Sequence, residues 1–264
     1  MISAKPPHRS QSLSVVIPVR NVENMIEGVL QQLIEGLKGN RVNFIILDNR
    51  STDRTQQKVN RVIAIFQSDP NYTFDFVLNS ENLGYGGSLK KGLRMAKASN
   101  SEWIVVAHGD DQANWNAITK TMIQTASYSN HDLIITSRFM PGSNVENYST
   151  QRKIGNYVFR TLTNLLLKTN MSDPGAAILM IRKGTLELVW INSLREDYLF
   201  HPGLNIIFYK SNLKIKEIPM NWKDASHPGE IKLIRYGMNL FAFLMRVYAR
   251  KTFFKLDWVD SVAK

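Results

Sequence analysis

Apolar and polar positions alternate in blocks along the first half of the chain. LSVVIPV (13–19) is a short β-branched run and predicts a strand. NMIEGVLQQLIEGLKG (24–39) repeats its apolar residues at helical spacing and ends in glycine, predicting a helix. The pattern continues with strands over 42–49, 72–80, 102–108 and 132–139, and helices over 51–67, 86–99 and 116–127 between them. Ser51 or Thr52 is the expected cap of the second helix. Strands alternating with helices predict an α/β fold: a mostly parallel central sheet with helices on both faces. Ligands of such sheets sit at the carboxyl ends of the strands. Those ends carry Asp48, Asn79 and the cluster from His108 to Gln112.

The second half changes character. STQRKIGNYVFRTLTNLLLKT (149–169) predicts a longer helix with room for a break, and SDPGAAILMIRK (172–183) a turn and a strand. REDYLFHPGLNIIFYKSN (195–212) starts acidic and becomes helical, and KIKEIPMNW (214–222) reads as one strand. The stretch 231–254 predicts a basic, aromatic, amphipathic helix. No internal repeat and no domain-separating linker stands out. The expected organisation is a tail over 1–12, one domain over 13–230 whose two halves are 13–139 and 140–230, and a C-terminal helix and tail over 231–264.

The 264 residues, 44% hydrophobic, suffice for a sizeable core. Absence of cysteine excludes disulfides and thiolate zinc sites. The N-terminal segment has no signal-peptide core, and the apolar run YGMNLFAFLM is about half the length of a spanning helix. A soluble, cytoplasmic chain is the expectation. The formal charge of +11 points to an anionic partner: nucleotide, phospholipid surface or nucleic acid.

Three sites carry chemistry. In IVVAHGDDQANW (104–115), a buried run ends in imidazole, carboxylates and an amide. Such donors can hold a divalent cation, with oxygen favouring Mg²⁺ or Mn²⁺ and imidazole tilting toward Mn²⁺; the plain alternative is a solvated acidic turn. In LDNRSTD (47–53), Asp48 ends a strand, while helix capping accounts in part for the residues after it. In NSENLGYGGSLKKGL (79–93), glycines before a helix permit close approach of phosphate, with a flexible turn as the alternative. It is not a P-loop.

Taken in order, these segments resemble inverting glycosyltransferases of family 2, with the GT-A nucleotide-diphospho-sugar transferase fold, and within them the dolichol-phosphate-mannose-synthase-like branch. VVIPVRNVENMI is similar to that family's V-V-I-P-x-Y-N-E, FIILDNRSTDRT to V-V-D-D-G-S-T-D-x-T, and NLGYGGSLKKGLRMA to N-x-G-x-G-x-A-L-x-x-G-x-x-x-A. HGDDQ stands where the branch has D-A-D-x-Q, and SRF, SDPGAAILMIRK and EIPMNW follow in family order. The resemblance implies a UDP- or GDP-sugar donor contacted by Pro18, Asn21, Asp48, Asn82, Gly84 and Asp110. It implies Mn²⁺ or Mg²⁺ on His108, Asp110 and Gln112, and an acceptor side that includes Asp173 and Trp222. A lipid-linked (polyprenyl phosphate) or glycan acceptor follows, with Glu196 and Asp197 resembling the acidic pair that supplies the base of hydroxyl-glycosylating members.

Several positions depart from the family. His108 replaces the first carboxylate of D-x-D, removing a negative charge from the metal motif. Asn49 and Arg50 replace aspartate and glycine, and FHPGL (200–204) and ASHPGEIK (225–232) lack charged residues expected there. Inverting transfer is one in-line displacement. A hydroxyl acceptor needs a base, worth roughly 10²–10⁴-fold, whereas a phosphate needs little help. The 231–254 helix suits association with a membrane surface at its cytoplasmic face, or packing against the sheet or another copy in a homo-oligomer. Nucleic acid is not expected, because the basic residues are spread along helices rather than gathered in a reader motif. A sugar-phosphate nucleotidyltransferase and a degenerate nucleotide-sugar binder without turnover are the alternatives.

Overall fold

A computed structural model of the chain describes residues 11–128, 130–187, 189–224, 233–252, 257 and 262. Strand β1 (Ser12–Val19) lies near the middle of a seven-stranded sheet. It pairs in parallel with β2 (Arg41–Asp48) and with β4 (Trp103–Val106), and β2 pairs in parallel with β3 (Tyr72–Leu78). Beyond β4 comes β7 (Leu179–Arg182), antiparallel to both β4 and β5 (Leu133–Ser137). The last strand, β8 (Ile215–Pro219), pairs in parallel with β5, so the order is β3-β2-β1-β4-β7-β5-β8. This is the predicted mostly parallel α/β sheet, with one reversed strand.

Period-two side-chain alternation divides the core into two layers. Val16, Ile45, Leu47, Ile104 and Val106 point to one face. There they meet α3 (Gly84–Ala98), α5 (Thr150–Leu167), α6 (Phe200–Lys210) and α7 (Leu233–Thr252). Val15, Ile17, Phe44, Ile46 and Val105 point to the other, under α1 (Ile26–Gly36), α2 (Thr55–Phe66) and α4 (Trp115–Tyr128). Burial on both faces is why these strands read as unbroken apolar runs.

Four details differ from the sequence reading. Helix α2 starts at Thr55, later than Ser51 or Thr52 would place it; Asp53 Oδ1 instead accepts from the Thr55 amide and hydroxyl. Helix α5 has no break, and its Ser149 hydroxyl caps the Arg152 amide. The single strand expected over 214–222 divides at Met220, whose amide bonds to Ser137. Past it, β9 (Asn221–Lys223) pairs with β6 (Asn144–Glu146) in a separate two-stranded sheet that the sequence did not announce. Strand β1 begins inside the expected 1–12 tail, whose residues 1–10 lie outside the described residues, as do 225–232 and parts of the stretch after 252.

Candidate active site

The strand order reverses at β1, between β2 and β4, and the carboxyl ends of β1 to β4 share one rim. That reversal is where open α/β sheets hold ligands.

The loops after β1 and β2 lock each other. Asn21, at φ 51°, accepts the Thr52 amide on Oδ1 at 2.8 Å, and its own amide donates to Ser51 Oγ at 3.0 Å. The Glu23 amide donates to Asp53, and Glu23 Oε2 accepts from the Arg54 amide and side chain. Glu23 thus ties the loop after β1 to the start of α2. Asp48 lies beneath this turn, 1% exposed. Its Oδ1 accepts the Ser51 amide at 2.7 Å, and Oδ2 is buried with no hydrogen-bond partner among the described residues. Pro18 is likewise buried within β1, opposite Leu47. Asp48 and Pro18 therefore shape the rim from below, while Asn21 and Asn82 are exposed on it. Asn49 couples the next loop: its Nδ2 donates to Asn82 Oδ1 at 2.6 Å and its Oδ1 accepts the Leu83 amide at 2.9 Å.

The glycines at the start of α3 have another explanation than phosphate approach. The Gly86 amide donates to the Glu196 carbonyl at 2.8 Å, and the Gly87 amide shares it at 3.3 Å. A Cβ on Gly84, at φ 73°, would lie 2.4 Å from that carbonyl oxygen. These residues are small because the chain around 195–197 rests against them, so those amides serve the protein rather than an anion.

At the end of β4, the Tyr85 hydroxyl lies 3.0 Å from His108 Nε2 and 3.0 Å from His201 Nε2. His108 Nε2 is also 3.3 Å from the Ala177 carbonyl. Trp115 and Trp222 flank the His108 ring, and Tyr198 stacks on Tyr85 at 5.4 Å. Burial raises the Tyr85 phenol well above its ordinary value and holds both imidazoles below theirs; for His201 the neighbouring His108 adds to this. Burial also raises Asp110, against the opposing pull of His108. Gln112 Nε2 donates to Asp224, and the Gln112 backbone carbonyl accepts the Lys223 amide.

The donor set fits a divalent cation of the Mn²⁺ kind. Nε2 of His108 faces the Tyr85 hydroxyl and the Ala177 carbonyl, so Nδ1 is the ring nitrogen that a cation would use. Among the described residues no group of three or more His, Cys, Asp or Glu converges on one point.

Asp173, expected on the acceptor side, is 3% exposed and grips Arg138 through two side-chain bonds of 2.7 and 2.9 Å and a third from the Arg138 amide. The pair's attraction and hydrogen bonds outweigh the burial that would lower Arg138, and raise it. The Arg138 guanidinium lies over the rings of Phe139 and Trp222, at 5.1 and 5.7 Å. Asp173 is thus the anchor of a cation, not a group facing outward. Tyr236 of α7 feels the charges of Arg138, Asp173 and Asp197, and burial pushes its phenol up to about 12.

Asp197 accepts from Arg195 Nε on both oxygens at 3.0 Å and from the Leu199 amide at 3.0 Å. Burial acts to raise its pKa, but these bonds outweigh it and hold the carboxyl below its ordinary range. Glu196 lies 3.4 Å from Lys90. Tyr85, His201, Arg138 and Tyr236 were not singled out from sequence; the only signals were the missing acidic residues around His201 and the family-like SRF.

A nucleotide-sugar transferase rim on a GT-A fold is what these elements define. Residues 14–190 match the profile of glycosyl transferase family 2, and the chain belongs to that family. It is 24% identical over 238 residues to a dolichol-phosphate mannosyltransferase of Pyrococcus furiosus, covering 89% of this chain and 62% of that protein. It is 25% identical over 228 residues to a dolichyl-phosphate β-glucosyltransferase of Saccharomyces cerevisiae, covering 81% and 67%. The fold is shared with glucosyl-3-phosphoglycerate synthase of Mycobacterium tuberculosis, solved with Mn²⁺, UDP and glucosyl-3-phosphoglycerate. The TM-score there is 0.63 at 16% identity, covering 91% of this chain and 79% of that one. No described helix is long and apolar enough to cross a membrane.

Proposed function

We propose that this chain transfers a sugar, with inversion, from a nucleoside diphosphate donor to the phosphate of a lipid-linked acceptor. The observation that carries the choice of acceptor is the state of Asp197. A general base works best with a pKa near the working pH, yet Asp197 is tied to Arg195 and a helix amide and held low. A phosphate acceptor is already anionic and needs no such base. Its oxygen attacks the anomeric carbon as the bond to the donor's diphosphate oxygen breaks, the electron pair leaving on the diphosphate.

His108 through Nδ1, the Asp110 carboxylate and the Gln112 side chain would hold Mn²⁺, with Mg²⁺ a poorer match to the imidazole. When bound, the cation supplies positive charge against the departing diphosphate. Asn21, Asn82 and Gly84 form the rim on which the nucleotide rests, with Asp48 and Pro18 shaping it from below. Trp222 and the Arg138–Asp173 pair wall the acceptor side. The dolichyl-phosphate names of two relatives support a lipid-linked acceptor, and the UDP and Mn²⁺ of the structural neighbour support the donor class.

A thermal-shift panel of UDP and GDP with Mn²⁺ or Mg²⁺ identifies the donor base, since a ligand bound only by the native state raises the melting temperature. Transfer is then measured to a short polyprenyl phosphate and to the matching alcohol. Transfer to the phosphate alone is expected. Asp110→Ala should lower turnover roughly 10²–10³-fold, the size typical of losing one group that stabilises developing charge. Asp197→Asn should keep most of it. Acceptance of the alcohol, with Asp197→Asn losing 10²-fold or more (roughly the value of a base), would overturn this choice of acceptor.

A further inference from the structure

We propose that α5 and α7 together form a docking face for an anionic lipid bilayer. The choice of a bilayer as occupant rests in part on the lipid-linked acceptor proposed above. Both helices bury one side in the same core layer, α5 through Phe159 and Leu167, α7 through Leu240, Phe243, Leu244 and Val247. Each then repeats apolar residues on its outer side. In α5 these are Ile154, Tyr157, Val158 and Leu165; in α7 they are Ile234, Met238, Phe241 and Met245. Leu165 is 71% exposed and Ile234 81%. Of twelve large apolar residues exposed among the described residues, eight lie on these two helices. Isolated exposed apolar residues are ordinary, but a concentration of this kind marks a contact surface.

Charge decides among the occupants. Helix α5 contains three basic residues, of which Arg152 is paired with Asp224, and α7 four; neither helix contains Asp or Glu, and Lys153 and Arg235 are exposed. A second copy of the chain would bring basic faces together, and an acidic partner protein would leave the apolar rows without a match. An anionic bilayer satisfies both features: apolar side chains enter the boundary between headgroups and acyl chains while Arg and Lys meet phosphates. A groove of about 580 Å³ opens beside α5; Phe139, Val145, Ile154 and Tyr157 give it apolar walls, and Lys153, Asn156 and Arg160 complete the lining. Ile154 and Tyr157 belong to the docking face, and Phe139 carries Arg138 of the acceptor side over its ring. The groove therefore joins the proposed lipid surface to the place where a lipid-linked phosphate would react.

The test is co-sedimentation of the full chain with vesicles, without nucleotide or acceptor. Vesicles of equal parts phosphatidylglycerol and phosphatidylcholine should carry the protein down, vesicles of pure phosphatidylcholine far less, and added salt should weaken binding. Lys153→Gln with Arg235→Gln, both exposed, should lower the partition coefficient on the order of 30-fold. Ile154→Glu with Phe241→Glu should abolish sedimentation while melting temperature and UDP- or GDP-induced stabilisation stay unchanged. Wild-type protein that stays in solution with both vesicle types would overturn the proposal. So would apolar-row variants that bind as well as wild type, or a stable dimer that those variants dissolve. If docking fails while transfer to a short polyprenyl phosphate in detergent persists, the docking face is wrong and the acceptor reading stands.

Discussion

The rim built on β1 to β4 and the layer built from α5 and α7 handle polar and apolar groups in opposite ways. On the rim, loop side chains satisfy neighbouring loops: Asn21 with Ser51 and Thr52, Glu23 with Asp53 and Arg54, Asn49 with Asn82 and Leu83. These bonds fix loop shape before any ligand arrives, which is what a site for a polar, charged donor needs. The α5–α7 layer instead leaves rows of apolar residues facing outward, the face proposed above to meet a bilayer. Arg138 and Asp173 sit where the two regimes meet, and their substitution should have the largest effect. Removing one partner of a buried ion pair strands the other, at about 3–5 kcal/mol. Asp173→Asn should therefore lower the melting temperature sharply. Arg138→Met with Asp173→Leu should cost much less than either single change, because no charge is left buried. Additive losses in a chemical-denaturation cycle would show that the pair does not act as a unit.

The next effect lies at the rim. Gly84→Ala places a methyl 2.4 Å from the Glu196 carbonyl, at a positive φ that an L side chain rarely adopts. Overpacking of this kind costs about 1–3 kcal/mol, with backbone strain in addition. The expected outcome is a lower melting temperature and weaker UDP- or GDP-induced stabilisation, because the 195–197 segment must move. A variant with unchanged stability and unchanged nucleotide response would show that this contact is slack.

These two cases also mark what was legible in the sequence. The sheet was readable because its strands are buried on both faces and appear as unbroken apolar runs, as in Val15 to Val19. The grouping of His108, Asp110 and Gln112 at one strand end was readable because its members lie within a few positions. The function of the glycines was not, because their partner is the backbone at Glu196, far along the chain and without a side-chain signature. Likewise Tyr85 meets His201 across 116 positions, and Asp173 meets Arg138 across 35. Asp48 stood out because it ends a strand and Pro18 through the family resemblance, but that both are buried under the rim was not legible. Short β6 and β9 pair with each other in a sheet of their own, and three residues carry too little pattern to announce a strand.

A smaller effect is the response of stability to pH. His201 is held well below its ordinary value in the fold, chiefly by burial. The unfolded chain therefore binds more protons than the native one between the lowered pKa and about 6.5. Stability from this group is fully present above that value and is lost as pH falls below it, by at most about 1.4 kcal/mol per pH unit per proton. His108 acts in the same direction, whereas Asp110, held high, works in the opposite one at more acid pH. The informative measurement is a slope: metal-free His201→Asn should lose part of the decline in melting temperature below about pH 6.5, whatever its stability at neutral pH. An unchanged slope would mean that His201 does not titrate with unfolding.

The finest distinction concerns Tyr85, which ties the rim to α6. Its hydroxyl has one proton and two neighbouring imidazole nitrogens at equal distance, so it donates to one and accepts from the other. A cation on His108 Nδ1 requires a proton on Nε2, which then donates toward the Tyr85 oxygen and the Ala177 carbonyl, and Tyr85 donates to His201. Tyr85→Phe removes the hydroxyl and leaves His108 with Ala177 alone, at 3.3 Å. Loss of a supporting partner of a metal-bound imidazole weakens metal binding about 10–100-fold. The remaining carbonyl places the expected loss at the lower end, about tenfold. Titration of Mn²⁺ followed by electron paramagnetic resonance, with UDP or GDP present, measures this apart from turnover. A loss near tenfold makes Tyr85 a positioning residue for His108. An unchanged affinity would mean that the hydroxyl only fills space between two helices, and that Ala177 alone sets the ring.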